Sequence, residues 1–418
     1  MVIVKGYKFK LKTNVNSNQK LAQTAGCCRY VYNYFLNQRI ESYKDEGNSP
    51  NYYKQAVQLP EKKRELQWLN NCPSQALQHS LKDLEQAYKN FFRRVKQKET
   101  PGFPRFKKRE QNNSFRLPQG VKIDESKVFL PKIGWIRFHK SRKIEGKLKN
   151  TTIIQDIDGW YVSFQTEQKK ADPVHPSKTT VGIDVGVKYF AFLSNGTNIE
   201  PLNIFRKLQF QLAQEQRRFS KKQKKSANWR KQKTRVAKIH KRIRDSRNDF
   251  LHKESTKICK SHAVVVLENL KVSNMSRSAK GTVECPGKSV RAKSGLNRSI
   301  LDQGWYTFRK MIEYKQRWYG GRVILVDPKN TSRRCPKCGC VSKENRKTQD
   351  TFSCINCNYT TNADFNASMN ILAAGRAVLA CGETTVGGLC ETRISCPLGR
   401  REGQRQDSCK TKLLHGKW

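Results

Sequence analysis

The sequence contains no hydrophobic run long enough to cross a membrane. Its longest aliphatic runs are far shorter than the roughly 20 residues that a membrane-spanning helix requires. No basic helix carries a separate apolar stripe of Trp and Leu, which argues against a lipid surface as the partner. The N-terminal residues enter an alternating pattern directly and lack the features of a signal peptide. These absences predict a cytoplasmic protein with no membrane partner.

Acidic residues are also scarce. The 418 residues include 34 Asp and Glu against 83 Lys and Arg, which gives a net charge of +49. Such an excess indicates a long polyanion as partner, and nucleic acid is the obvious one. The length allows two to four domains. The 14 cysteines favour reduced thiols with one metal cluster over a disulfide framework.

One stretch, residues 181–196, reads as two short strands that enclose an acid. Asp184 lies between Gly182 and Gly186, and Asn195-Gly196 is a strong turn signal after the second apolar run. A carboxylate within an apolar strand is unfavourable unless it is paired or binds a cation. The alternative is an Asp that satisfies a local turn.

Two further acids occur in similar settings. Glu268 ends an apolar run and is expected at the carboxyl end of a buried strand. Asp364 begins a predicted helix, where the helix dipole alone could explain an acid. Three such acids can converge at one sheet edge and hold two divalent cations ~4 Å apart for phosphodiester chemistry. Hard oxygen ligands suit Mg²⁺ or Mn²⁺.

The cysteines include two C-x2-C pairs separated by fifteen residues, namely Cys335, Cys338, Cys354 and Cys357. Four thiolates at this spacing predict one structural Zn²⁺, since four ligands leave no open position. Unrelated buried cysteines are the alternative, and Cys340 is a rival ligand. No metal spacing involves the remaining C-terminal cysteines, Cys381, Cys390, Cys396 and Cys409.

The N-terminal part alternates between strand and helix patterns. Residues 2–11 and several short runs within 114–167 read as strands, which together could close a small β-barrel from residues 1–15 and 112–172. Between them, residues 16–111 form a helical insertion, with one helix starting at Pro73-Ser74. Its basic side is either a solvated face or a surface that rests on a nucleic-acid duplex.

The most basic segment is predicted to be a helical hairpin, residues 203–260. Fifteen Lys or Arg and a single acid lie between residues 217 and 247, and apolar positions on both arms keep helical register. A solvated face or a disordered tail is the alternative. The predicted nucleic-acid contacts are Arg217, Arg218, Lys221, Lys222, Arg230, Lys231, Lys241, Arg242 and Arg244, together with Arg105, Lys107 and Lys108.

The remaining segments have simpler patterns. Residues 273–299 are rich in Ser, Lys, Arg and Gly, which predicts mobility without a ligand. A helix is expected over residues 299–319, ended by Gly320-Gly321, and a buried strand over 323–326. Residues 381–418 are predicted to be disordered and outside the catalytic unit.

The acids and cysteine pairs together resemble the TnpB family of transposon-encoded, RNA-guided nucleases, relatives of the type V CRISPR nucleases. The order Asp184, Glu268, Asp364 matches that family's triad, and the zinc-ligand pairs lie between the second and third acids as they do there. The resemblance extends to about residue 380. It implies an α/β RNase-H-like (RuvC) nuclease core from residues 178–334 and 358–380, with an inserted zinc ribbon at 335–357.

The same resemblance implies that residues 16–111 are a recognition lobe and that the barrel is wedge-like. It further implies a monomeric RNA-guided DNA endonuclease that takes its guide RNA from the transposon end. Such an enzyme would cut double-stranded DNA beside a short flanking motif by two-metal hydrolysis. In a prokaryotic cytoplasm it would be nucleoid-associated when bound to DNA.

Three other functions stay open from the sequence. A transposase that joins DNA strands uses the same type of acidic triad, and a nucleic-acid-binding regulator could keep the fold without catalysis. A junction-resolving nuclease also uses similar acids, although it would have little need of the helical insertion or of this charge.

Overall fold

A computed structural model describes residues 1–109 and 113–380. The predicted C-terminal tail, with its four cysteines, lies outside the described residues. Within the described ranges, no helix is both long and apolar enough to cross a membrane.

The N-terminal strands form one antiparallel sheet of seven strands. They are β1 Val2–Lys12, β2 Ser114–Leu117, β3 Lys122–Asp124, β4 Lys127–Leu130, β5 Gly134–Phe138, β6 Lys147–Asp156 and β7 Gly159–Lys169. The strand order is β2-β6-β7-β1-β5-β4-β3. Over residues 1–109 and 113–380, no backbone pairing joins β2 to β3, so hydrogen bonds do not close this sheet into a barrel. Apolar side chains alternate along β1, as the sequence predicts.

The helical insertion packs directly on this sheet. Its elements are α1 Val15–Glu46, α2 Tyr52–Glu65, a 3-10 helix Gln67–Asn71 and α3 Ser74–Lys96. The predicted apolar stripes of α1 and α3 are largely buried, and Leu21 and Leu77 join Phe9 and Phe164 of the sheet in one hydrophobic cluster. Sheet and insertion therefore share a continuous core, although the sequence suggests two separate domains.

A second sheet is the centre of the remaining chain. Its strands are β8 Thr180–Asp184, β9 Ala191–Leu193, β10 Asn198–Ile199, β11 Val264–Glu268 and β12 Arg322–Val326. The order is β10-β9-β8-β11-β12, in which β11 runs parallel to both β8 and β12. Strands β9 and β10 form the predicted hairpin around Asn195-Gly196.

The helices of this part connect the strands and cover the sheet. They are α4 Ile204–Ser220, α5 Ala227–Ser261, α6 Val272–Met275, α7 Val290–Gln303, α8 Trp305–Tyr319 and α9 Ala363–Ala380. Helices α4 and α5 form the predicted basic hairpin, joined by an apolar seam that includes Leu212, Ile239 and Ile243.

One prediction about residues 299–319 is wrong. The single helix expected from residue 299 is two helices, because Gly304 has a left-handed backbone (φ +74°) that interrupts α-helical geometry. Helix α7 begins at Val290, within residues 273–299, and the mobility of that segment without a ligand stays a prediction. Burial of Ile300 in the core accounts for the helix, because packing of an apolar residue stabilises it beyond its local composition.

Candidate active site

The topology brings two of the predicted acids to the same edge. Asp184 is the last residue of β8 and Glu268 the last of β11, and these neighbouring strands run parallel. Because parallel strands end at the same edge of a sheet, both carboxylates lie there. The expectation for Glu268 is thereby confirmed, whereas Asp184 ends its strand rather than interrupting it.

The third acid reaches this edge on helix α9. Asp364 is in its first turn, and the side chain of Asn362 caps the helix by accepting hydrogen bonds from the backbone nitrogens of Asp364 (2.9 Å) and Phe365 (3.1 Å). The helix crosses β8 at Gly182, where a Cβ atom would collide with backbone atoms of Ser368 and Leu372. Glycine at that position lets α9 approach closely enough to carry Asp364 to the sheet edge.

The three carboxylates influence one another. Burial, together with the nearby charges of Glu268 and Asp364, raises the pKa of Asp184 to about 8, while Arg346 acts in the opposite direction. Burial also raises the pKa values of Glu268 and Asp364. Such a cluster is electrostatically unfavourable alone and favours a bound cation.

Side chains from outside the triad contact these carboxylates. Arg346, within the predicted zinc ribbon, lies 3.4 Å from Asp364 Oδ1, and Thr331 donates a hydrogen bond to Glu268 Oε1 at 2.6 Å. Sequence reasoning missed both residues, because neither has a spacing that relates it to an acid. Only the packed structure brings them to the site.

The acids and the cysteines offer different ligand atoms to a metal. In the part of the chain that the structure describes, Cys335, Cys338, Cys354 and Cys357 are the one set of three or more His, Cys, Asp or Glu whose ligand atoms all lie within 4.8 Å. The carboxylates offer only oxygen, which fits hard divalent cations.

The raised pKa of Asp184 leads to a testable effect on stability. Between about pH 4 and 8 the unfolded chain ionises at this side chain while the folded protein keeps its proton, so stability falls as pH rises. Each pKa unit corresponds to about 1.4 kcal/mol. We expect Asp184→Asn to raise the melting temperature above pH 8 without added divalent ions, and the gain to vanish near pH 4. Thermal unfolding across this pH range measures it.

A matched control is Asp124→Asn, since Asp124 is exposed on β3. That variant should melt like the wild type at every pH. An Asp184→Asn protein with unchanged or lowered stability at pH 8 to 9 would contradict the buried, mutually repelling cluster.

The four predicted cysteines form a compact cluster. Cys335 Sγ lies 3.5 Å from Cys357 Sγ, and Cys338 Sγ lies 3.5 Å from Cys354 Sγ. Each C-x2-C turn is followed by a residue with a left-handed backbone, Gly339 (φ +73°) after the first pair and Asn358 (φ +53°) after the second. This pairing of two tight turns around one point suits a tetrahedral metal ion.

Cys340, the rival ligand, is not among the four. Its carbonyl oxygen instead accepts hydrogen bonds from the Cys335 backbone nitrogen and from Asn345 Nδ2. Hydrogen bonding by the Cys340 backbone N–H, and next by the Asn356 side chain, lowers the pKa of Cys338 to about 6, which favours the thiolate. The short strands β13 Thr351–Ser353 and β14 Thr360–Asn362 pair with each other on either side of the second C-x2-C turn. Strand β14 leads directly into α9. The ribbon therefore supports the helix that carries Asp364.

Most of the predicted nucleic-acid contacts on the basic hairpin are exposed, namely Arg217, Arg218, Lys221, Lys222, Arg230, Lys231, Arg242 and Arg244. Lys241 differs, because its side chain is only 16% exposed and pairs with Asp156, Asp158 and Asp245. Arg244 also pairs with Asp156, at 2.7 Å. These two cations attach the hairpin to the turn between β6 and β7, which suggests an anchoring role beside any contact with phosphate.

Near the end of α3, Arg105 and Lys108 are exposed, as a role in nucleic-acid binding requires. Lys107 is half-buried, with its amine 4.0 Å from the ring centroid of Tyr32. Its backbone nitrogen donates to Asn33 Oδ1 at 2.8 Å. We therefore expect Lys107 to hold this loop against α1.

Three family models match the chain. One for OrfB_IS605, described as "Probable transposase", matches residues 163–279, and one described as "Cas12f1-like, TNB domain" matches residues 305–371. A third, described as "Helix-turn-helix domain", matches residues 1–48. In the structure these last residues form β1 and the continuous helix α1.

Curated relatives match over nearly the whole chain. "Putative RNA-guided DNA endonuclease InsQ" of Escherichia coli K12 is 51% identical, covering 92% of this chain and 96% of the relative. "Putative RNA-guided DNA endonuclease" of Streptomyces pristinaespiralis is 32% identical, covering 95% of both. A solved structure of "the mini-RNA-guided endonuclease CRISPR-Cas_phi3" matches 89% of this chain and 92% of its own, at 12% identity. Its TM-score of 0.43 is too low to support a conclusion.

The cluster of acids and the four-cysteine ribbon, together with the match to a Cas12f1-like domain, define a nuclease with a Cas12-like fold. The sequence identity to relatives that match over nearly their full length shows the family. The chain belongs to the TnpB family, as the resemblance of its motifs predicts.

Proposed function

We propose that the protein is an RNA-guided DNA endonuclease of a transposable element, with a RuvC-like core. The observation that carries the proposal is the convergence of Asp184, Glu268 and Asp364 at one sheet edge, close enough for each of the last two to shift the pKa of the first. The names of the full-length relatives support the guide dependence. A guide RNA and double-stranded DNA would be its partners, and it would act as a monomer.

The side chains support hydrolysis of a phosphodiester. Two divalent cations, Mg²⁺ or Mn²⁺, would supply the activated water and the stabilisation of the leaving oxygen. Asp184, Glu268 and Asp364 would hold these ions. Arg346 extends to the same edge and could orient a phosphate oxygen, as guanidinium groups do. One structural Zn²⁺ on the four cysteines would keep the start of α9 in place.

The exposed cations would hold the nucleic acid. On α4, on α5 and in the loop between them they form a basic surface continuous in sequence, which suits a phosphate backbone. These cations would hold the phosphate backbone without reading its sequence. No base-reading helix is needed if a paired RNA strand selects the site. The protein itself would then read backbone shape and a short flanking motif.

Dependence of cleavage on a guide RNA gives the sharpest test of this function. We expect purified protein to carry a defined RNA, and RNase treatment before addition of target DNA to remove cleavage. Replacing the guide portion of that RNA should move the cut to the newly complementary site, because base pairing selects the target. Sequencing of the copurified RNA and mapping of cleaved ends provide the measurements.

The matched control is Asp364→Ala loaded with the same RNA, which should bind and not cut. Unchanged site-specific cutting by RNA-free protein would contradict guide dependence. Joined rather than cut element ends would instead favour the transposase that the first family description names.

A further inference from the structure

The segment between strand β12 and the four-cysteine ribbon, residues 327–334, contacts both sites, and the charge of its first residue, Asp327, helps to raise the pKa of Glu268. It starts beside the catalytic edge, because Val326 pairs with Glu268 in the parallel register of β11 and β12. It ends at Arg334, directly before Cys335. Asn330 has a left-handed backbone (φ +65°), and its carbonyl oxygen accepts from the backbone nitrogens of Arg333 and Arg334, both at 3.0 Å. This tight turn brings Thr331 over the sheet edge.

Thr331 directs its hydroxyl at the catalytic carboxylate. Its Oγ1 lies 2.6 Å from Glu268 Oε1 and 3.1 Å from the carbonyl oxygen of Pro328. A hydroxyl has a single proton, and bonds to a carboxylate are shorter and stronger than bonds to a neutral carbonyl. The proton therefore goes to Glu268. This bond fixes one carboxylate oxygen and leaves the other for a cation.

Helix α9 holds Thr331 in that position. Asn370 is buried and donates its amide protons to the carbonyl oxygens of Thr331 (2.8 Å) and Arg334 (2.7 Å). Asn366, one turn earlier, also donates to the Arg334 oxygen at 3.1 Å. Because the same helix carries Asp364, one rigid element sets both that carboxylate and the residue that bonds Glu268.

We propose that Thr331 is a positioning residue for Glu268 and that Asn370 holds Thr331 in place from helix α9. The inference rests on the proposed two-metal function. A carboxylate that is already oriented loses less freedom when it binds a cation. Loss of such an outer partner of a metal ligand typically lowers metal affinity or activity by about 10- to 100-fold.

The test compares two substitutions in the full-length protein with its RNA. Thr331→Val keeps the shape and removes the donor, whereas Thr331→Ser keeps the donor. Mn²⁺ binding is followed through the electron paramagnetic resonance signal of unbound Mn²⁺, which does not depend on cleavage. We expect the half-saturating Mn²⁺ concentration to rise about tenfold for Thr331→Val. Thr331→Ser should behave as the wild type, and Asn370→Ala should shift binding in the same direction as Thr331→Val.

Three controls isolate the effect. The variant with Asp184, Glu268 and Asp364 all replaced by alanine reports the Mn²⁺ held by the RNA alone, which is subtracted. Thr360→Val removes a ribbon hydroxyl that bonds Ser353 and should leave Mn²⁺ binding unchanged. Zinc content of Thr331→Val should equal that of the wild type, which shows an intact ribbon.

Two outcomes would overturn the role of Thr331 while leaving the two-metal function intact. These are wild-type Mn²⁺ affinity in Thr331→Val, or an equal loss in Thr331→Ser, while the triple-alanine variant loses its Mn²⁺. If the triple-alanine variant binds as much Mn²⁺ as the wild type, the acids hold no metal. The two-metal function is then wrong, and the proposed role of Thr331 is wrong as well.

Discussion

Alanine at Asp184, Glu268 or Asp364 is expected to reduce DNA cleavage below detection while binding of nucleic acid persists. Each side chain would hold a cation that the reaction requires, so loss of one ligand removes the chemistry. Binding depends instead on many exposed cations outside the triad, whose contacts with phosphate are unaffected. Cleavage of a guide-matched duplex in Mg²⁺, alongside a gel-shift titration at fixed salt, separates the two effects.

Asp124→Ala is the matched control, because Asp124 is an exposed acid on the N-terminal sheet. It should cut as the wild type does. Near-normal cleavage by any triad variant would exclude that residue from the site, and simultaneous loss of binding would indicate misfolding rather than a chemical role.

Loss of zinc is the second large effect. The cysteine module has a small core of its own, built around Cys335, Phe352 and Cys354, so a bound metal would supply most of its folding free energy. We expect metal analysis to find about one zinc per chain in the wild type. Cys335→Ser or Cys357→Ser should lose that zinc and lower the melting temperature and solubility.

Cys340→Ser provides a close control, since among the described residues Cys340 is the one other cysteine that packs against this cluster. It should retain zinc and melt like the wild type. A Cys335→Ser protein with an unchanged melting temperature, together with a wild type free of zinc, would rule out a structural metal. Zinc loss in Cys340→Ser would make Cys340 a ligand after all.

The sequence by itself determined the features that a short local pattern of residues encodes. Apolar positions in α1 and α3 follow the helical period and are largely buried where that period places them. The hairpin of α4 and α5 keeps the seam that its apolar residues predict. Cysteine spacing likewise predicts the four-cysteine cluster, because each half of that cluster is a local turn. Glu268 could be placed at a strand end because its apolar run is continuous.

Only the tertiary structure decided which distant groups meet. The contacts of Arg346 with Asp364 and of Thr331 with Glu268 depend on how α9 packs over β8, and no local repeat encodes that packing. The break at Gly304 is similar, since a glycine within an apolar pattern is compatible with a continuous helix until the core selects a left-handed backbone. Local propensity acts over a few residues, whereas the acid cluster depends on hydrophobic burial that joins residues 184, 268 and 364 at one edge.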